Sequence, residues 1–411
     1  MQQPSAWAGT VATALTVVVG LNRHTWGICK DWIHSSGPKD NNSNAPTNAW
    51  TNAGFARAKA SNYSAHYARM ETSWWEQRHW GITLGMEALR LGMASEPSGA
   101  AAKLHDAIHQ GFQELQPKVP DATADGFKEA QAQQVFKCGA SELGFDSAGA
   151  ISHLVHDGHT WADASHSLLQ LNYRAYTGAE IGAQQSSGDY GKAGLPSSVA
   201  GGMWKSQLQK LYAKQQGGAC SFLVQTAFDP ETTAEYGAPA VVWSRVDVAS
   251  SSISVEVLML NKTTTRRSES ILVQFLPAPT GAATGDWSVD KLGEWLNISD
   301  VVDGGAKHLH GNMERGIRVD MAGHRMSIAA QDAAIASFGN LTAYPYPIQP
   351  QPDTADFGAS FVVYDNLWGV NYILWFPFNG TAPETFASSS EYFPTPWNGH
   401  LLSRFTITFG R

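Results

Sequence analysis

VEVLML (Val255 to Leu260) and ILVQFL (Ile271 to Leu276), separated by the polar stretch NKTTTRRSES, decide the fold. Both runs are short, rich in Val, Ile and Leu, and bounded by polar residues, which is how strands read rather than helices. FVVY (Phe361 to Tyr364) and RFTITF (Arg404 to Phe409) repeat the pattern, with Gly, Pro and Asp-Gly breaks between the runs. Many short strands with turn signals predict one large antiparallel β-sandwich over residues 131–411. A Ser/Gly-rich stretch from Gln184 to Gly202 reads as a long loop within it.

Before Ala132 the periodicity is different. Trp74, Trp75, Ile82, Met86, Leu89 and Met93 recur at helical spacing. A second helix is predicted from Ala100 to Leu115, with Leu104, Ile108, Phe112 and Leu115 on its buried side. Pro97 separates the two, and Pro117 and Pro120 end the second. Residues 23–130 therefore read as a short helical bundle, broken by a polar loop from Asp40 to Ala53. The expected class is α+β: an N-terminal helical bundle followed by the sandwich. Residues 1–22 carry the apolar run ATALTVVVGL (Ala12 to Leu21), which reads as a residual strand or a signal-like segment. It is too short to span a bilayer, and no other stretch is long and apolar enough.

Composition narrows the function. Hydrophobic residues make up 43% and charged residues 16%, a globular balance. A net charge of -8 argues against nucleic acid as a partner, and Arg266-Arg267 is followed by Glu269 and forms no basic patch. Cys29, Cys138 and Cys220 show no metal-binding spacing and allow one bridge at most. N-x-[ST] sequons at Asn41, Asn62, Asn261, Asn297, Asn340 and Asn379 point to the secretory pathway or an extracellular location.

Four clusters invite a site. In HLVHDGHTW, Asp157-Gly158 signals a two-residue hairpin turn. That pairs His156 with His159 and Leu154 with Trp161, and sends His153 to the other face, so these three imidazoles are not expected to share a metal. His308 and His310 would share a strand face as exposed or capped polar residues. Asn366, Trp368, Gly369, Asn371 and Trp375 gather aromatic rings and amides that suit sugar hydroxyls, or else form a packed strand pair. Glu71 and Glu76 beside Trp74, Trp75 and Trp80 read as the solvated edge of a buried Trp stripe.

Several separated segments resemble one known family. RHTWGICKDWI (Arg23 to Ile33), ETSWWEQRHW (Glu71 to Trp80), AEYGAPAVVW (Ala234 to Trp243), NKTTTRRSE (Asn261 to Glu269), DKLGEWLNISDVV (Asp290 to Val302) and YDNLWGVNYILWF (Tyr364 to Phe376) are similar to an uncharacterised family related to the family 38 glycoside hydrolases, the α-mannosidases. The resemblance implies a three-part parent of β/α barrel, helical bundle and mutarotase-like β-sandwich, of which this chain carries the last two. It implies zinc in the context of a complete enzyme, with His24 matching one ligand, and none for this chain alone. Trp26, Asn366, Trp368 and Asn371 become substrate-binding candidates. None of the 14 histidines is followed by Asp two positions later, so the family's H-x-D metal motif and its nucleophile have no counterpart here. The resulting expectation is a carbohydrate-active protein without autonomous catalysis, partnered by a glycan or by a separate catalytic-barrel chain. A carbohydrate-binding sandwich module and a structural sandwich of a secreted or surface assembly are the alternatives.

Overall fold

The structure, a computed structural model, describes residues 90–91, 98–114, 118–181, 199–260, 262, 268–281, 285–302, 305, 307–311, 315–344, 352–366 and 401–411. The chain forms two compact units, Met1–Lys118 with Asn371–Gly399 and Val119–Val370 with His400–Arg411. In the first unit the helix Ala100–Glu114 lies where its periodicity predicts. Ala100 N–H donates to Ser98 Oγ at 3.3 Å ahead of its first turn. Its covered side runs through Ala101, His105, Ile108 and His109, whereas Leu104, expected to be buried, is exposed. The other bundle positions, including Trp74, Trp75, Glu71 and Glu76, and the 1–22 segment lie outside the described residues.

The second unit is a sandwich of two ten-stranded sheets, and every described pairing is antiparallel. The first sheet runs Lys128–Ala130, Gln207–Gln216, Ala219–Ala227, Val241–Val248, Ser252–Leu260, Leu401–Gly410, His324–Ala330, Ile317–Met321, Asp286–Lys291, Glu294–Asn297. The second runs Leu309–Gly311, Ile335–Phe338, Ala359–Asn366, Glu269–Phe275, Leu168–Ala175, Ile151–His156, Ser141–Phe145, Phe136–Cys138. His159–Ala162 pairs with Ile151–His156, and Gly202–Lys205 with Leu168–Ala175. Among the described residues the first strand begins at Lys128, just ahead of the change in periodicity, and Gly202 opens a strand rather than ending a loop. In the first sheet, Leu401–Gly410 bonds Ser252–Leu260 on one side and His324–Ala330 on the other, so among the described strands it joins the two halves of that sheet.

Alternation explains which side of each strand is buried. Ile253, Val255, Val257 and Met259 point into the core while Ser254 and Glu256 point away. Glu269–Phe275 is buried along its whole length. Ile271, Val273 and Phe275 enter the main core, and Leu272 packs under Ala343 and Val362, which is why Ile271 to Val273 read as a continuous apolar run. Rings interlock across the two sheets: Phe275 with Phe405 at 5.9 Å, Phe136 with Phe222 at 5.0 Å, and Trp287 with Phe338 at 5.7 Å. A disulfide, Cys138–Cys220, ties the last strand of the second sheet to the first sheet.

Candidate functional site: an imidazole cluster at one end of the sandwich

The Asp157-Gly158 turn forms as its sequence predicts, with φ of 49° and 79° at its two residues and His156 opposite His159. A bulge between Leu154 and Val155 then shifts the register, so Leu154 faces Ala162 and not Trp161. His156 Nδ1 is hydrogen-bonded to Ser141 Oγ at 2.8 Å, and Ser141 lies opposite it in the neighbouring strand. His153 stands apart, with its Nε2 3.8 Å from Glu142 Oε2.

The other sheet contributes what the local sequence does not show. Met326 and Ile328 point into the core, and His324 continues that row to the end of its strand; Phe409 likewise continues the row of Phe405 and Ile407. The imidazoles of His159 and His324 stack with centroids 4.0 Å apart and planes 25° apart. His156 stacks on Phe409 at 4.3 Å, and Trp161 meets His159 edge-on at 4.5 Å. Together they cap the core with aromatic rings. Above them opens a pocket lined by His156, Asp157, Trp161, His324, Phe409, Gly410 and Arg411. His159 Nε2 is buried with no hydrogen-bond partner.

Burial, and then the positive charge His324 would carry, hold the His159 pKa below the ordinary imidazole value. His308 and His310, expected to be exposed or capped, are buried and capped, with His308 Nε2 donating to the Tyr344 carbonyl at 3.4 Å. His310 is capped as well: its Nε2 donates to the Lys307 carbonyl at 3.0 Å. Burial lowers both of their pKa values against the opposing pull of those backbone acceptors. With all three imidazoles depressed in the fold, the unfolded chain takes up protons first as the pH falls below about 6.5. Stability is therefore full above that value and is lost on acidification until the folded imidazoles themselves protonate. Urea denaturation at about pH 7.5 and about pH 5.5 should show a lower midpoint at the acid end, with a flatter slope in His159→Gln. A midpoint that does not move would contradict the assignment.

The remaining candidates fall as follows. His24, Trp26, Trp368, Asn371, Asn41, Asn62, Asn261 and Asn379 lie outside the described residues, as does the Asn366 side chain; the Asn366 backbone pairs with Glu269. Asn340 is exposed, and Asn297 is half-buried with its Oδ1 accepting from Ser299 N–H at 2.8 Å. Sequence reading missed a fully buried ion pair in the polar stretch between the two deciding strands. Lys262 Nζ lies 2.9 and 3.0 Å from the two Glu269 oxygens, with the Tyr173 hydroxyl 2.6 Å from Oε2. Nothing in residue spacing marks that pair, because Lys262 lies just beyond a strand of the first sheet and Glu269 opens a strand of the second.

Comparison with known proteins adds the following. A galactose mutarotase-like protein from Clostridium acetobutylicum aligns with 10% identity and a TM-score of 0.36, covering 69% of this chain and 98% of that one. A galactose mutarotase-like protein from Lactobacillus casei aligns with 8% identity and a TM-score of 0.32, covering 69% of this chain and all of that one (100%). The sandwich assignment rests on the strand pairing above and not on these likenesses. No curated protein matches the sequence. Residues 17–255, more than half of the sequence, match the family described as Domain of unknown function (DUF5054), and the chain belongs to that family.

Proposed function

We propose that this chain recognises carbohydrate through its sandwich, as a relative of the non-barrel half of the family 38 enzymes, and does not hydrolyse glycosides by itself. The pocket at the hairpin end carries the reading. Its lining combines the aromatic rings of Trp161, Phe409 and His156 with the polar side chains of Asp157, His324 and Arg411. Sugar rings are held in this way, apolar faces on aromatic rings and hydroxyls on a few polar groups. Retaining hydrolysis needs two carboxyl groups about 5 Å apart, or a carboxylate with a metal. Among the described lining residues Asp157 is the one acidic side chain.

Zinc belongs to this reading only within a complete enzyme. Its matched ligand, His24, lies outside the described residues. Among the described residues no three His, Cys, Asp or Glu side chains already converge to hold an ion, so no step passes through zinc. The Cys138–Cys220 bridge supports a secretory or extracellular location, where disulfides persist, and the sequons at Asn297 and Asn340 agree with it.

Glycan-array binding followed by calorimetry tests the proposal. Phe409→Ala and Asp157→Asn should each weaken binding, by about tenfold for the lost ring stacking. Aryl mannosides should not turn over. Absence of binding to any sugar, binding indifferent to both substitutions, or turnover by purified chain would each overturn it.

A further inference from the structure

We propose that the strand Glu294–Asn297 is a pairing edge for a second copy of this chain, joined antiparallel across a twofold axis at Leu296. The strand closes one end of the first sheet and has one neighbour among the described strands, Asp286–Lys291. The tight turn Leu292-Gly293, with φ of 55° and 91°, connects the two. Main-chain bonds alternate along an antiparallel pair, and Ile298 N–H donates to the Trp287 carbonyl at 3.2 Å. Leu296 and Glu294 therefore bond inward as Ile298 does, while the backbone groups of Trp295 and Asn297 face away from the sheet. Asp290, opposite Trp295, turns its own N–H the other way, to the Gly316 carbonyl at 3.0 Å.

Three of the exposed large apolar side chains, Leu292 (97% exposed), Leu296 (44%) and Val302 (80%), fall on this same segment. Leu296 pairs with the core residue Val289, so it continues the core face to the rim of the sheet and is left open there. On the opposite face the guanidinium groups of Arg315 and Arg318 lie 4.9 and 4.6 Å from the Trp295 ring and hold it in place. An edge arranged in advance loses little freedom on pairing. Two other sheet ends are guarded by charge, as open edges commonly are. Lys128 and Glu129 are exposed on Lys128–Ala130, and the Lys137 side chain is 86% exposed on Phe136–Cys138. Glu294–Asn297 carries a single charge, at Glu294.

The edge fits its own reverse. With Leu296 on the twofold axis, Trp295 of each copy faces Asn297 of the other, and each of these pairs exchanges two main-chain hydrogen bonds. The Asn297 carbonyl already accepts from Asp300 N–H at 2.9 Å and has a second lone pair to offer. The axis brings Leu296 against Leu296 and sets Glu294 opposite Ile298, so no like charges meet. Centring the contact on Trp295 or on Asn297 would form one bonded pair instead of two, and the first of these would set Glu294 against Leu296. So short an edge covers less than the roughly 800 Å² per partner of a standard interface, which makes the dimer weak, with a Kd roughly in the micromolar-to-millimolar range. The contact stands apart from the carbohydrate pocket, and no sugar enters its test.

Sedimentation velocity of the full chain, made without N-glycans, should show the mass rising from monomer at about 5 µM towards dimer at about 1 mM, and no further. Leu296→Lys places two ammonium groups on the axis and should weaken dimerisation by about tenfold or more. Val135→Lys, at an exposed apolar position elsewhere on the sandwich, should leave it unchanged. Leu296→Cys sets two Cβ atoms about 4.5–5.5 Å apart and should cross-link the copies under mild oxidation, whereas Leu292→Cys, away from the axis, should not. Far-UV circular dichroism identifies any variant that fails to fold, and cross-linking then carries the test. A chain monomeric throughout, wild-type dimerisation in Leu296→Lys, or equal cross-linking in the two cysteine variants would each overturn the proposal. So would a monomeric chain that pairs this edge with an unrelated extended peptide, which would assign the edge to a different partner.

Discussion

Lys262→Met should lower the free energy of unfolding by about 3–5 kcal/mol, because removing one member of a buried pair strands the other charge away from water. Both side chains of the Lys262–Glu269 pair have 0% exposure. Burial pulls the Lys262 pKa below its ordinary range, against the attraction of Glu269. Tyr364, whose hydroxyl faces Glu269 Oε1 at 3.4 Å, has its pKa driven well above the phenol range by burial first and by that carboxylate second. The pair is thus a demanding arrangement whose parts depend on each other. The double variant Lys262→Met/Glu269→Leu removes both charges and should recover most of the loss. Tyr173 keeps an acceptor there, since its hydroxyl also lies 2.6 Å from the Tyr236 carbonyl. Guanidinium denaturation at constant slope measures all three proteins. A single variant as stable as the wild type would refute the account.

Removing the Cys138–Cys220 bridge as Cys138→Ser/Cys220→Ser should cost about 2–5 kcal/mol. The bridge closes a segment with a sequence separation of 82, and long loops lose the most entropy when cross-linked in the unfolded chain. Reduction of the wild type with excess thiol should bring its denaturation midpoint down to that of the variant. A variant that unfolds at the wild-type midpoint would show that the contact between the sheets, and not the covalent link, sets stability at this edge.

Much of the sandwich was legible because burial on one side of a strand forces alternation at period two. VEVLML, FVVY and RFTITF all lie within observed strands, and the Asp-Gly turn fixed the His156–His159 pairing. The site was half legible. Its hairpin could be read locally, but His324 and Phe409 reach it from the opposite sheet, and contacts between sheets leave no trace in spacing. The same reason hides the partnership of Cys138 with Cys220. Lys262 and Glu269 fall in a stretch that reads only as polar, since charge in a sequence carries no label of its partner. Leu104 was placed on the wrong side of its helix because an Ala-rich first turn can offer Ala101 to the covered face instead.

The strand Leu401–Gly410 has a consequence in time. It sits between partners that precede it by a long stretch of chain, with Met259 opposite Leu401 and Ile328 opposite Ile407. Such pairings raise the contact order, and chains rich in them fold in milliseconds to seconds rather than microseconds. Until this strand docks, Ser252–Leu260 and His324–Ala330 each present an open row of backbone donors and acceptors, the form of surface that templates aggregation. Refolding yield should therefore depend on protein concentration more steeply than native stability does. A synthetic peptide spanning Leu401–Arg411 would act on that yield by occupying the gap between the two half-sheets.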